Sequence, residues 1–461
     1  MNKGPLDNAT AKLLQGCVGI VVSPPVDLTT CNHILCSLIL FVQQSHANSV
    51  YPLIHEDMLS LIADWLEHKK KYGNALEKTL YKDMGLIELV QRLLERRAIS
   101  FLGRRDQYMI IGQQGFGGWE QIGTDQEIPP LVLKDYLSYD EIKLSALLTM
   151  SSHTEFINDG SRKNRGIVVT GSNELEPRGV IIGVVGPRFQ RPGFMEYQDI
   201  AVAPDQNIAA NGYLRNLDTS STVETTTSLQ GLRQVWARFY DEPFFPLYEE
   251  VAQRIRKTPG DSKYVPVGRK YIFDAETYIK RTLITAEIIL LEANARALEL
   301  QTTAYVHVVG FGLGVWKALP EQEVYFMKAF EIAINNTMNK IPHVSDIMFS
   351  YLKDETNCGG VKDGDIKIHF GNREPHTALE GDKLLVVTYA WDGNALPGNE
   401  FWMGKLASSG DPAAACSTQI AELHNVRINP RASAANLRIA SPEHGILHIA
   451  DYAKQRLQSI T

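Results

Sequence analysis

Residues 390–402, AWDGNALPGNEFW, place two carboxylates (Asp392, Glu400) and two carboxamides (Asn394, Asn399) within nine residues. Carboxylates so grouped can orient a water or stabilise a cationic transition state, as in glycosidic cleavage. The carboxamides can hold a sugar hydroxyl. Asp392-Gly393 and Pro397-Gly398 are also ordinary turn pairs, but two turns by themselves require neither Glu400 nor Trp391 and Trp402. Just downstream, Asp411 in Gly410-Asp411-Pro412 suits either a helix cap or a direct ligand contact.

A second motif is Gly310-Phe311-Gly312-Leu313-Gly314-Val315-Trp316. Glycines let backbone N–H groups approach a phosphate, and a following helix adds its positive end. A plain strand-to-helix turn is the alternative. A dinucleotide fingerprint starting at Gly312 requires glycine at 317, and Lys317 stands there, so that fingerprint is broken. Two further loops carry candidates. In 186–196, Arg188 or Arg191 can pair with phosphate, and Glu196 can bind a sugar or hold the loop. In 156–165, Asn158 and Asp159 are turn residues or ligand contacts. There is no GxSxG, no HExxH and no zinc-ribbon spacing. No metal and no cofactor is expected. Cys31-x-His33-x-x-Cys36 lacks a second half and sits in an apolar segment, Ile34–Val42, that reads as buried helix.

These motifs need positioning elements. Leu384–Tyr389 is a β-branched run that stops at the acidic loop, and 304–309 is a strand that stops at the glycine loop. Gly166–Thr170, Gly179–Val185 and Val344–Tyr351 also read as strands. A long helix spans about 273–301, and others are expected over 321–338 and 412–423. Residues 1–110 read as mainly helical, with apolar spacing at 58–66 and 84–94 and a solvated helix end at 68–73. Ser138–Glu141 suits a helix start, with helix continuing through 131–150. The alternation of β and α in the second half predicts an α/β protein with a mixed, largely parallel sheet. In such sheets ligands bind beyond the carboxyl ends of the strands.

The chain has 461 residues and a formal charge of −7. That balance offers no general attraction to phosphate backbones or anionic lipid, so neither nucleic acid nor membrane is an expected partner. Five cysteines, odd in number and without CxxC, point to a reducing compartment. The first residues lack a secretory pattern. A soluble, cytoplasmic protein is expected, in a host cytosol if it is a secreted bacterial effector.

The segments 186–198, 310–316 and 390–402 resemble the atypical macrodomain ADP-ribosylhydrolases, a family typified by the Legionella effector MavL, and more distantly the poly(ADP-ribose) glycohydrolases. The two main loops are in reversed order relative to ordinary macrodomains, which implies a permuted arrangement. The resemblance implies a macrodomain-like three-layer core over 126–461, with a mainly helical region over 1–125. It implies that 310–316 clasps a diphosphate, that Asn394 holds the ribose, and that Glu400 is the catalytic acidic residue with Asp392 as the competing assignment. Asp411 becomes a further acidic ligand. Trp391, Trp402 or Phe311 would pack on sugar or base. The expected partner is ADP-ribose or an ADP-ribosylated protein, arginine-modified ubiquitin among them. The expected activity is hydrolysis of mono-ADP-ribosyl protein, since the triple-glycine, paired-glutamate signature of the chain-cleaving enzymes is absent. A non-catalytic ADP-ribose reader is the alternative. A nicotinamide-dependent oxidoreductase is the third reading, and the broken fingerprint argues against it.

Overall fold

The computed structural model describes residues 6–25, 44–103, 105–169, 173–214, 224–352, 366–407 and 410–458. Cys31, His33, Cys36 and the Ile34–Val42 segment lie outside the described residues. A nine-stranded sheet organises the chain. Its strands are β1 (Tyr51–His55), β2 (Thr149–Glu155), β3 (Arg178–Val184), β4 (Thr303–Val308), β5 (Val344–Ser350), β6 (Lys367–Gly371), β7 (Lys383–Ala390), β8 (Arg438–Ser441) and β9 (Gly445–His448). Their spatial order is β6-β5-β4-β7-β3-β2-β1-β8-β9. The run from β6 to β3 is parallel throughout. β2 is antiparallel to both β3 and β1, β1 is parallel to β8, and β9 closes the edge antiparallel. The sheet is therefore mixed and largely parallel, in an α/β fold.

The strands alternate between two cores, as a period of two requires. Val180, Ile182 and Val184 of β3 join Val306, Val308 and Val386 in one core, under the helix Ala275–Glu299 and the helix Gln322–Thr337. Ile181 and Tyr389 face the other core, with residues of the helices Asp57–Tyr72, Leu86–Glu95 and Glu224–Phe239. No helix among the described residues is long and apolar enough to cross a membrane.

Several expected elements are corrected. Ile167, Val168 and Val169 form no strand; they are exposed, and the loop is tied by Asn164, whose amide donates to the Ser161 and Ala413 carbonyls. Thr170 lies outside the described residues. Helix within 131–150 is confined to Tyr139–Ser145, capped reciprocally by Ser138 and Glu141, and β2 begins at Thr149. Buried Glu141 also pairs with Arg92, which locks this short helix onto Leu86–Glu95. The expected helix over 412–423 is two short ones, Asp411–Ala415 and Ile420–Leu423, because the Ser417 and Thr418 hydroxyls bond back to the Ala413 and Ala414 carbonyls at the break. Within 1–110, β1 is a strand of the large sheet, and Ser100–Leu102 opens a small antiparallel meander completed by Gln107–Ile110 and Gln113–Phe116. The helix end at 68–73 is only partly solvated, since Lys69 is buried between Glu77 and Asp140.

Beyond β3 and β4 the chain segments pass against one another with no room for a side chain. A Cβ on Gly186 would sit 2.4 Å from the Gly312 nitrogen. Gly186→Ala must therefore push the two loops apart. A loss of about 1–3 kcal/mol, typical of overpacking, is expected in urea-induced unfolding, whereas Gly314→Ala, whose Cβ would meet open space, is expected to cost less than half as much.

Candidate active site

A cavity of about 420 Å³ opens beyond the carboxyl ends of the parallel strands. It forms because β4 and β7 part company. Their main-chain ladder ends at His307 and Val387, and beyond it the Val309 N–H donates to the Thr388 hydroxyl at 3.0 Å. Gly310, Gly312, Gly314, Val315 and Trp316 line one wall. Gly312 holds φ at +77°, a left-handed conformation that favours glycine. Among the described residues, the N–H groups of Gly312, Gly314, Val315 and Trp316 find no acceptor in the chain. An array of unpaired N–H groups on a cavity wall is a cradle for an anion. The loop is held from behind by buried Gln322, which accepts from the Ala318 N–H at 2.6 Å and donates to the Gly312 carbonyl at 3.3 Å. The helix after the loop begins only at Gln322, six residues beyond Trp316, so its N-terminus is not the wall of the cavity. The expected contribution of that helix end is replaced by the loop's own N–H groups.

Asp392, Asn394, Glu400 and Asp411 line the same cavity. Asn399 does not; it is fully buried behind them. Its Oδ1 accepts from the Ser100 hydroxyl and the Phe101 N–H, both at 2.8 Å, while its Nδ2 donates to Asp392 Oδ2 at 2.5 Å. Asp411 accepts from the Gly398 and Asn399 N–H groups at 2.9 and 2.5 Å. It caps the acidic loop rather than its own helix. Glu400 Oε2 is buried and has no hydrogen-bond partner among the described residues. Burial pushes the Asp392 carboxyl up to about 6, with the Asn399 amide pulling it down and Glu400 adding repulsion. Burial also lifts Asp411 well above the usual carboxylate range, against the two N–H groups it accepts. The cavity thus has an anion cradle on one side and three crowded carboxyl groups on the other.

Other expected contacts are relocated. The Phe311 ring is fully buried against Phe326 and Phe330, and Leu313 packs on the same core. Trp391 is buried under the Arg97 guanidinium, 4.2 Å from its ring, with its N–H on the Ala395 carbonyl. Trp402 packs on Phe401 and donates to the Pro397 carbonyl. None of these rings lines the cavity. Trp316 does. Glu196 is buried in an ion pair with Arg188, and Arg191 pairs with Asp106 outside the cavity lining. Asn158 and Asp159 accept from the backbone two residues on, as turn residues do.

The structure adds residues that pattern alone does not single out. Phe101 and Leu102 arrive from the meander, and Arg162, Tyr351 and His376 also line the cavity. Tyr389 on β7 forms part of the floor, its hydroxyl 3.0 Å from Nδ1 of buried His424. Only Tyr389 carried a signal, by ending the apolar run at the acidic loop.

A family model described as ADP-ribosylhydrolase MavL-like matches residues 26–455. A Drosophila melanogaster protein, ADP-ribosylarginine hydrolase CG3568, is 46% identical over 421 residues, covering 88% of this chain and 81% of the relative. A second from the same organism, ADP-ribosylarginine hydrolase CG2909, is 44% identical over 428 residues, covering 89% and 83%.

The raised Asp392 carboxyl has a thermodynamic signature. A group that holds its proton more tightly when folded stabilises the fold at acid pH and loses that contribution as pH rises through its folded value. Asp392→Asn removes the ionisation and keeps an acceptor for Asn399. The variant is expected to melt above wild type at pH 7–8, with the gap closing below pH 4. A gap that does not change with pH across thermal melts rules out this carboxyl as the source.

Proposed function

The chain belongs to the MavL-like ADP-ribosylhydrolase family, and we propose that it removes ADP-ribose from arginine side chains of modified proteins. The observation that carries this reading is the pairing, within one cavity, of an unpaired N–H array with a cluster of carboxyl groups. The N–H groups of Gly312, Gly314, Val315 and Trp316 suit a diphosphate, and the half-buried Trp316 ring can pack on the sugar or base. At the other side, Asn394 and Asp392 hold the ribose whose anomeric carbon carries the arginine. A negatively charged end also suits a guanidinium, which is cationic in the substrate and again in the product. A neutral ester-linked carrier would gain nothing there. The macrodomain likeness and a carrier such as ubiquitin belong to the same proposal.

Chemistry follows from which carboxylate oxygens are committed. Both Asp411 oxygens hold loop N–H groups, and one Asp392 oxygen holds Asn399. Glu400 lines the cavity and, among the described residues, its carboxylate is committed to no hydrogen bond, so Glu400 takes the water. A water on Glu400 attacks the anomeric carbon and its oxygen forms the new bond there. The carbon–nitrogen bond breaks, and its electron pair goes to the guanidine nitrogen. Glu400 accepts the water's proton and returns it to that nitrogen, so the products are ADP-ribose and an intact arginine. The oxocarbenium charge that develops is stabilised by ionised Asp392, which no reorganisation has to bring into place.

Titrating ADP-ribose into wild type and Glu400→Gln by calorimetry, beside turnover of ADP-ribosylarginine protein, tests the assignment. Glu400→Gln is expected to bind ADP-ribose within threefold of wild type and to lose on the order of 10²–10⁴ in kcat. Full turnover by that variant would leave a binding module or a different base. Because Asp392 must be ionised, kcat/KM is expected to rise about tenfold per pH unit below about 6 and to level above it.

A further inference from the structure

We infer that Arg188 is a positioning residue that fixes the Asn394 carboxamide as a hydrogen-bond donor to the ligand. This rests on the proposed binding of ADP-ribose in the cavity. Arg188 is fully buried, on the loop beyond β3. Its Nε and Nη2 lie on the two Glu196 carboxylate oxygens at 2.9 and 3.2 Å, and Nη2 also donates to the Ile142 carbonyl at 3.2 Å. Glu196 accepts the Arg188 N–H as well, and Arg281 lies 3.7 Å from its Oε1. The guanidinium therefore cannot swing.

Its remaining nitrogen, Nη1, reaches across to the acidic loop. It donates to the Asp392 carbonyl at 3.3 Å and to Asn394 Oδ1. A guanidinium is a donor only. Whatever faces it on Asn394 must be the oxygen, so the Nδ2 amino group is left for the cavity that Asn394 lines. Asn394 is then committed to reading an acceptor, such as a lone pair on a ribose hydroxyl oxygen. Without Arg188 the carboxamide can turn over and present an acceptor instead. The Glu196–Arg188 pair thus sets the hydrogen-bonding sense of a ligand contact that neither residue makes.

Removing Arg188 alone strands buried Glu196 without its main partner, which is strongly destabilising, whereas replacing both members of a buried pair by apolar groups of similar volume is often tolerated. The experiment is a double-mutant cycle. ADP-ribose binding by calorimetry, and kcat and KM on ADP-ribosylarginine protein, are measured for wild type, Asn394→Ala, Arg188→Met with Glu196→Met, and all three together. Asn394→Ala in wild type is expected to weaken binding roughly three- to tenfold, the worth of one hydrogen bond. The Met pair is expected to weaken it similarly, in KM more than in kcat. Adding Asn394→Ala to the Met pair is expected to cost less than twofold more. Losses that multiply show that Arg188 does not act through Asn394 and overturn the inference. If the Met pair fails to fold, Arg188→Lys takes its place in the same cycle, since a lysine still faces Glu196 but lacks the second arm. Wild type that binds no ADP-ribose overturns the proposed ligand and this inference with it. Wild-type binding with multiplicative losses overturns this inference alone.

Discussion

The buried Asn399 carboxamide is the interaction on which the site depends. It satisfies the Ser100 hydroxyl, the Phe101 main chain and the Asp392 carboxylate at once. These groups lie on a small meander near the start of the chain and on a loop near its end, so one side chain fastens two distant segments into one wall. A buried carboxamide is costly unless its donors and acceptors are met. Here each of them is met only when the meander and the acidic loop are both in place. Asp411 adds the second fastening by gripping the Gly398 and Asn399 N–H groups.

Around that wall the charges are unevenly distributed. The cationic side chains nearest the carboxyl groups are committed elsewhere. Arg188 faces Glu196, Arg281 donates to the Ala146 and Val185 carbonyls, and Arg97 stacks on Trp391. None of the three lines the cavity. Burial raises Asp392 and Asp411, a cost in stability at neutral pH. That arrangement suits a ligand that brings its own positive charge. The glycine-loop side is the converse. Among the described residues the backbone N–H groups there are unpaired, an array that suits an anion. Each side of the cavity is left electrostatically incomplete, which is the condition under which a ligand bearing both charges completes it.

Strain and close approach serve the same end. Gly312 takes a left-handed φ and Gly186 meets its backbone so closely that no side chain fits between them. A second such contact lies under the floor, where a Cβ on Gly183 would sit 2.5 Å from the Tyr389 hydroxyl. Behind that hydroxyl, burial lowers His424 to about 3 and keeps it neutral, so it can bridge Tyr389 and Ser152 without a counter-charge. The cavity is shaped by what these positions lack as much as by the groups that face it.

The amino-acid sequence by itself determined the α/β class, the strands before both loops, the long helix and the two motifs that meet in the cavity. Those features are local: apolar runs, glycine spacing and clustered carboxyl groups are visible within a dozen residues. It also marked Glu400, Asp392 and Asn394 as neighbours of one another. Tertiary structure alone decided which of the clustered residues face the cavity. Asn399 and Glu400 are adjacent in the chain, yet one is tied to the meander and the other lines the cavity with a carboxylate that, among the described residues, accepts no hydrogen bond. Phe311 and Trp316 share a loop, yet one ring fills the core and the other lines the cavity. Glu196 suits a sugar contact or a loop anchor by residue type, and the buried Arg188 beside it makes it the anchor. Burial and partners are set by segments hundreds of residues away, here the strand at Tyr51–His55 and the meander from Ser100, whose short and weakly patterned stretches carry almost no local signal. Chemistry is written in residue types, but orientation belongs to whichever distant groups complete each hydrogen bond.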